Sequence, residues 1–260
     1  MNSIQHAPLA ANKALGQHFL RNESAIARIV HSIPEAASVL EIGPGPGAIT
    51  VPLLARAGAT TLIEKDDRFA SHWQQYCDQR TGLTVVHDDV LQCLEATVAA
   101  QQPQWIAGNL PYNISGPLTA LLSSLSLSGG MVLMYQREVG ERIMAEPGSK
   151  VYGGLSVLVR HHYHVSRLLT LPPGAFSPPP KVHSVVLKLL PHGQTPPCSW
   201  AAVQRCVRTG FAHRRKTLRN NFRQHISPEQ MQAVGIDPGL RPEQLDYSSW
   251  TKLALLFKGD

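Results

Sequence analysis

The sequence predicts an α/β fold, in which a doubly wound, Rossmann-like sheet domain is followed by a small all-helical domain. Strand-like and helix-like runs alternate over residues 1–190, as they do in a parallel sheet covered by helices. The break PHGQTPPCS follows at 191–199, and only helical patterns lie beyond it. We therefore expect a sheet domain at 1–190 with a flexible start at 1–10, a linker at 191–199 and a helical domain at 200–260.

The first half of the sheet domain predicts three strands that alternate with helices. Ile26, Ile29 and Val30 share one face of a helix over residues 23–31. The strand SVLEIG ends at a glycine, and the run AITVPLLARAG predicts a helix that stops at Gly58. The runs TTLIEKD and LTVVHDD predict the second and third strands, with the helix FASHWQQYC between them.

The second half of the sheet domain continues the alternation and then changes character. WIAGN and MVLMYQ predict two further strands, separated by the helix PLTALLSSL. REVGERIM and GLSVLVRHHY are helical in pattern, while HVSRLLTL and SVVLKLLP are strand-like. The segment PPGAFSPPPKV between these strands contains too many prolines for a central strand, so we expect an ordered loop.

The net charge of +6 is concentrated near the C-terminus. Residues 201–225 contain seven arginines and lysines and no aspartate or glutamate. Such a concentration favours a polyanionic partner such as nucleic acid, although a solvated helix face would also explain it.

Two features bear on the compartment. Residues 96–136 carry no charged side chain, but Pro103, Pro111, Pro117 and Gly129–Gly130 interrupt the run well short of the roughly 20 apolar residues that span a bilayer. The cysteines have no metal-ligand spacing, which is typical of free thiols in a reducing cytoplasm; they are Cys77, Cys93, Cys198 and Cys206. We expect a cytoplasmic protein without a signal peptide or membrane span.

The loop LEIGPGPG lies where the first strand meets the first helix. Its glycines allow a tight turn and a close approach to a ligand. Pro44 and Pro46 remove two N–H donors, which disfavours a pyrophosphate. Glu64, about 20 residues after Gly43, can accept from ribose hydroxyls, and Asp89 follows the third strand, where it can accept from an adenine amino group. A nucleoside ligand without phosphates that fits these residues is S-adenosylmethionine, with a dinucleotide as the alternative.

The segment GNLPY follows the fourth strand at the same edge of the predicted sheet. The Asn109 side chain can accept a hydrogen bond from an exocyclic amino group, and Leu110, extended because a proline follows it, can offer its carbonyl. Tyr112 supplies a face on which a base can stack. Two acceptors on an adenine amino group would localise its lone pair, so catalysis would consist of positioning rather than proton transfer. A tight turn with a core tyrosine is the alternative.

Eight segments give the chain a close resemblance to the small-subunit ribosomal RNA adenine N6,N6-dimethyltransferases (dimethyladenosine transferases, KsgA type). The resemblance covers almost the whole chain. It lies in KALGQHFL, LEIGPGPGAIT, LIEKD, HDDVL, GNLPYNIS, REVGERIMAEPGSKVYGGLSVLVR, PPGAFSPPPKVHSVV and FAHRRKTLRNNF.

The resemblance implies roles for particular residues. The cofactor contacts would be His18, Leu20, Gly43, Glu64, Asp89 and Asn109. The catalytic residues at the target amino group would be Asn109, Leu110, Tyr112 and Phe176, the last of these as a second aromatic wall known only from the resemblance. The family usually has G-Q-N-F-L where this chain has GQHFL, so His18 replaces an asparagine and can change the affinity or pH dependence of cofactor binding.

The resemblance also implies the substrate. The family transfers methyl groups from S-adenosylmethionine to the N6 atoms of two adjacent adenosines in the 3′-terminal hairpin loop of small-subunit (16S) rRNA. The substrate would be a late assembly intermediate, a pre-30S particle, and the enzyme would be a monomer without a metal. RNA backbone would be bound by Arg214, Arg215, Lys216, Arg219 and Arg223, assisted by Lys13 and Arg21.

Two other functions remain open at this stage. One is a large-subunit rRNA adenine N6-methyltransferase of the macrolide-resistance type, against which FSPPPKVHSVV and RRKTLRNNF argue. The other is a ribosome-assembly factor that acts mainly by binding. The histidines of RHHYH have no nearby acidic partner, so we expect a basic surface at a helix end rather than a metal site.

Overall fold

A computed structural model describes residues 6–7, 11 and 16–257 of the 260-residue chain. The fold is α/β with a Rossmann-like sheet and a helical C-terminal part, as the sequence predicts. Most of the predicted flexible start at 1–10, and Lys13, lie outside the described residues.

The main sheet has seven strands in the order β4-β3-β2-β5-β6-β9-β7. The strands are β2 (Ser38–Ile42), β3 (Ala59–Glu64), β4 (Leu83–His87), β5 (Trp105–Asn109), β6 (Gly130–Gln136), β7 (Tyr163–Leu171) and β9 (Ser184–Pro191). The strands β2 to β6 are parallel to one another, whereas β9 pairs antiparallel with β6. The predicted parallel sheet therefore has an added antiparallel edge.

A second, two-stranded pair lies outside the main sheet. β1 (Phe19–Leu20) pairs antiparallel with β8 (Phe176–Ser177), with Leu20 opposite Phe176. The proline-rich loop predicted between β7 and β9 thus contains a short strand. This strand joins the segment before the first helix to a segment more than half the chain away.

Helices alternate with the parallel strands. They are α1 (Glu23–His31), α2 (Thr50–Leu54), α3 (Asp67–Gln74), α4 (Val90–Gln101), α5 (Ser115–Leu122) and α6 (Arg137–Met144). The bounds of α1 match the prediction, but α2 ends before the predicted stop at Gly58. The Gly58 Cα packs closely on Ala36, and an added Cβ would lie 2.5 Å from the Ala36 carbonyl oxygen. The sequence interpretation missed α4, because apolar residues occupy several faces of the run VLQCLEATVAAQ.

The described residues pack as two compact units, and the predicted domain boundaries stay a prediction. The first contains the described residues up to 121, together with 127–140 and 166–191. The second contains 122–126 and 141–165 in addition to the described residues from 192 onward, so it includes a segment that lies within the predicted sheet domain. Its helices are α7 (Gly154–Val159), α8 (Trp200–Gly210), α9 (Leu218–Phe222), α10 (Pro228–Ala233) and α11 (Tyr247–Leu256).

Each unit has its own apolar interior. In the first unit, Ile29, Leu53 and Phe176 belong to one buried cluster, and Phe69 and Trp73 belong to another. In the second unit, the Trp250 ring stacks on Phe211 with centroids 5.1 Å apart. Among the described residues, no helix is long and apolar enough to cross a membrane.

Candidate active site

One cavity lies at the carboxyl ends of the parallel strands, where ligands bind in open α/β sheets. All six residues predicted to contact a cofactor line it: His18, Leu20, Gly43, Glu64, Asp89 and Asn109. Leu110 and Tyr112 line the same cavity. The topology therefore brings together residues that are separated by up to 94 positions in the sequence (18 to 112).

The glycine loop after β2 approaches the cavity with bare backbone. Gly43, Gly45 and Gly47 have φ values of +66°, +51° and +100°, a region that favours glycine. A Cβ on Gly43 would meet no atom of the described residues within 4 Å, whereas one on Gly47 would lie 2.6 Å from Trp73. The Trp73 indole also donates to the Gly45 carbonyl at 2.9 Å. The Trp73 side chain thus supports the loop at Gly45 and Gly47, while the space next to Gly43 is open to the cavity.

The Glu64 carboxylate is anchored at the end of β3. Its Oε2 accepts from the Gly45 backbone N–H at 3.0 Å, and its Oε1 accepts from the Asp66 N–H at 2.8 Å. Burial raises the pKa of Glu64, while the hydrogen bonds from Asp66 and Gly45 oppose that rise. The anchored oxygens form a fixed acceptor of the kind that ribose hydroxyls require.

Asp89 caps the N-terminus of α4 beside the same cavity. Its Oδ1 accepts from the Leu91 N–H at 2.9 Å, and its Oδ2 lies 2.7 Å from Lys65 Nζ. The hydrogen bond from Lys65 is the main reason that the pKa of Asp89 is lowered. Asp89 is therefore ionised and serves only as an acceptor at neutral pH.

Asn109, the last residue of β5, has a defined amide orientation. Its Nδ2 donates to the His18 carbonyl at 2.8 Å, which leaves Oδ1 as the acceptor. The Leu110 N–H donates to the Met134 carbonyl of β6 at 3.3 Å. The last residue of the strand and the residue that follows it are thus each held by a hydrogen bond to another segment of the chain.

Tyr112 begins a short 3-10 turn after β5 and is held in two directions. Its hydroxyl lies 2.6 Å from Ser184 Oγ, and its ring stacks on His18 with centroids 5.6 Å apart and an interplanar angle of 26°. The His18 Nδ1 donates to the Pro178 carbonyl at 2.8 Å. Burial raises the pKa of Tyr112, so the phenol is neutral and can stack. No pattern in the sequence indicates the contacts that Ser184 and Pro178 make.

Phe176 is the one predicted catalytic residue that the structure does not bring to the cavity. It is 4% exposed, lies in the same apolar cluster as Leu20, and is not among the residues that line the cavity. It does pair with the cavity-lining Leu20 through the backbone of β1 and β8. Its role as an aromatic wall remains a prediction.

Glu41 is a cavity residue that the sequence interpretation missed. It lies within β2, is 2% exposed, and burial raises its pKa to about 8, with the charge of Glu64 adding to the rise. Thr50 lies beside it, yet neither Glu41 Oε2 nor Thr50 Oγ1 has a hydrogen-bond partner among the described residues. An acid in the middle of the apolar run SVLEIG was the available signal.

The predicted RNA-binding residues lie in the second unit. All of them are exposed; they are Arg214, Arg215, Lys216, Arg219 and Arg223. The first three lie between α8 and α9, Arg219 lies in α9, and Arg223 caps that helix. Arg214 also donates to the Lys150 carbonyl at 2.6 Å. These five basic side chains are thus exposed to solvent within ten positions of the sequence.

The histidines of RHHYH do not all form the surface that we expected. His161 is 1% exposed, because its ring packs against Trp200 and its Nδ1 lies 3.0 Å from the Tyr247 hydroxyl. Burial lowers the pKa of His161 to about 4, so it is a neutral core histidine. Over the described ranges, no group of three or more His, Cys, Asp or Glu side chains could hold a metal ion.

Comparisons with known proteins give a consistent result. Residues 9–258 match the family described as Ribosomal RNA adenine dimethylase. Ribosomal RNA small subunit methyltransferase A of Xanthomonas euvesicatoria pv. vesicatoria is 42% identical over 262 residues, which cover 98% of each chain. The protein of the same name from Xanthomonas oryzae pv. oryzae has the same identity and coverage.

Two solved structures have a similar fold. The dimethyladenosine transferase from Plasmodium falciparum superimposes with a TM-score of 0.76 and 26% identity, covering 91% of this chain and 96% of that one. The 23S rRNA methyltransferase ErmE gives a TM-score of 0.66 at 22% identity, covering 93% of this chain and 100% of that one. The second likeness concerns the fold alone.

Proposed function

Because the chain belongs to the ribosomal RNA adenine dimethylase family, it is an S-adenosylmethionine-dependent methyltransferase, and we propose that it acts on small-subunit (16S) rRNA. The proposed reaction dimethylates the N6 amino groups of two adjacent adenosines in the 3′-terminal hairpin loop. The proposed substrate is a pre-30S particle late in assembly, and the enzyme acts in the cytoplasm as a monomer.

The observation that carries this proposal is the position of GNLPY on the same cavity as Gly43 and Glu64. Glu64, which would bind the ribose, and a bare glycine loop line the cavity. An amide acceptor and an aromatic ring, Asn109 and Tyr112, line it as well. An arrangement of this kind fits a nucleoside cofactor next to a second, flat nitrogenous substrate.

The cofactor side of the cavity fits S-adenosylmethionine through its hydrogen-bond acceptors and its open space. Glu64 would accept from the ribose hydroxyls, and Asp89, kept ionised by Lys65, would accept from the adenine amino group. In the part of the chain that the structure describes, no atom lies within 4 Å of a Cβ placed on Gly43, which provides room for the ligand. His18, Leu20 and Asn109 would complete the contacts. When bound, S-adenosylmethionine supplies the methyl group.

The target side works by positioning. Asn109 Oδ1 and the Leu110 carbonyl would accept from the N6 amino group of the target adenosine while its base stacks on Tyr112. These hydrogen bonds withdraw the nitrogen lone pair from the aromatic ring and direct it. Asn109 can do this because its Nδ2 is already bonded to the His18 carbonyl. Phe176 would need to move to form the predicted second wall.

The basic stretch from Arg214 to Arg223 would bind the RNA backbone. All five predicted side chains are exposed, and phosphate contacts of this kind weaken as salt concentration rises. The target bases would lie in a loop, where unpaired nucleotides are accessible, and each would leave its stack at a cost of a few kcal/mol.

The test is transfer of radiolabelled methyl groups from S-adenosylmethionine to under-methylated small subunits, with large-subunit RNA as the control. We expect incorporation into small subunits alone and its loss in Asn109→Ala. Cofactor binding measured by calorimetry distinguishes a lost reaction from a lost cofactor. Label in large-subunit RNA would support the resistance-type alternative, and binding to small subunits without any label would support an assembly factor.

A further inference from the structure

A hydrogen bond joins Tyr112 to a residue that is distant in sequence. The Tyr112 hydroxyl lies 2.6 Å from Ser184 Oγ, and either oxygen can donate. Ser184 has 0% of its surface exposed and is not among the residues that line the cavity. Its influence on the site therefore passes through the tyrosine.

The two partners differ in how firmly the backbone holds them. Ser184 is the first residue of β9, where it pairs with Gln136 of β6. Tyr112 lies in a three-residue 3-10 turn. Side chains on paired strands are positioned more precisely than those on turns. The hydrogen bond thus fixes the tip of a turn-borne ring to the sheet.

The His18 ring restrains the same tyrosine from another direction. It stacks on the ring at a centroid distance of 5.6 Å, and it is itself held by the Pro178 carbonyl. Since a tyrosine side chain has only two rotatable torsions, a fixed tip and a contacted face determine the ring plane.

We propose that Ser184 is a positioning residue for the target adenosine, because its hydroxyl sets the plane of the Tyr112 ring on which the base stacks. The inference rests on the proposed function, in which Tyr112 receives that base. The plane of the stack determines where the N6 amino group lies relative to Asn109 Oδ1. Small misplacements of a reacting group reduce the rate even when the substrate still binds.

The test compares Ser184→Ala, Tyr112→Phe and the double variant. Steady-state methyl transfer to under-methylated small subunits gives kcat and KM, and calorimetry gives the Kd for S-adenosylmethionine. In Ser184→Ala we expect kcat to fall between about 2- and 10-fold, the range of one neutral hydrogen bond. We expect the Kd for the cofactor and the KM for the particle to change less than twofold.

In the double variant, we expect the unfolding midpoint in urea to recover while kcat does not. Each single variant leaves one hydroxyl without its partner, that of buried Ser184 or that of half-buried Tyr112. Each therefore lowers the unfolding midpoint in urea, whereas removing both hydroxyls restores much of it. A positioning role predicts that kcat stays low in the double variant, because nothing fixes the ring. A merely structural role predicts that kcat recovers together with the midpoint.

A matched control is Tyr135→Phe. Tyr135 is also a buried tyrosine bonded to a hydroxyl, that of Thr119 at 3.3 Å, but it does not line the cavity. We expect its kcat to equal that of the wild type. If the wild type is active, an unchanged kcat in Ser184→Ala or a recovered kcat in the double variant would overturn the positioning role of Ser184 and leave the proposed function intact. A wild type that binds S-adenosylmethionine but transfers no methyl group would overturn the proposed function and this inference together.

Discussion

The buried carboxyl of Glu41 makes the stability of the protein depend on pH in a way that one substitution should remove. In the folded protein its pKa is raised to about 8 from an ordinary value of 4.5, chiefly by burial. In the unfolded chain the carboxyl returns to its ordinary pKa. Replacing Glu41 with glutamine keeps the size of the side chain and removes its titration.

The magnitude follows from the two pKa values. Below pH 4.5 both states hold the proton, and between pH 4.5 and about 8 the unfolded chain has released a proton that the folded protein retains. Over that window the folded state loses about 1.4 kcal/mol of stability per pH unit. The free energy of unfolding of Glu41→Gln, relative to the wild type, should therefore rise by about 3 kcal/mol between pH 5 and pH 8. Any pH-independent effect of the amide cancels in this difference.

The assay is urea unfolding followed by circular dichroism at both pH values. Glu95→Gln is the control for the substitution itself, because that carboxyl is exposed on α4 rather than buried. A change below about 1 kcal/mol in Glu41→Gln would refute the reasoning. It would mean that Glu41 is ionised in the folded protein or has the same pKa in both states.

Three further predictions concern ligand binding. Gly43→Ala places a methyl group in the open cavity at a left-handed φ, so we expect a stability loss of about 1–2 kcal/mol and at least a tenfold weaker cofactor Kd by calorimetry. Lys65→Met removes the main cause of the lowered pKa of Asp89, so cofactor binding should begin to fail at a higher pH as the solution is acidified. Arg219→Ala should weaken particle binding and reduce the slope of log K against log salt by about 1; an unchanged slope would place Arg219 away from phosphate.

The convergence of Gly43, Glu64, Asp89 and Asn109 was predictable because the carboxyl ends of parallel strands meet at one sheet edge. What the sequence could not predict are pairings between distant segments. Ser184 and Tyr112 are 72 positions apart, and no local pattern marks either as the partner of the other.

Other differences arise where burial outweighs local polarity. His161 lies in a polar run but is enclosed by Trp200 and Tyr247, which no periodicity could indicate. The antiparallel addition of β9 to β6 was likewise hidden, since a strand-like run does not specify the direction of its neighbour.

The short pairing of β1 with β8 has a thermodynamic consequence. Phe19 and Leu20 line the cavity, and their backbones are bonded to Ser177 and Phe176 in the proline-rich loop. A ligand that restricts the motion of one strand also restricts the strand paired with it. A second ligand that binds the paired strand then loses less conformational entropy. On the prediction that Phe176 contacts the target base, cofactor and RNA would each increase the affinity of the enzyme for the other, and linkage requires the two increases to be equal.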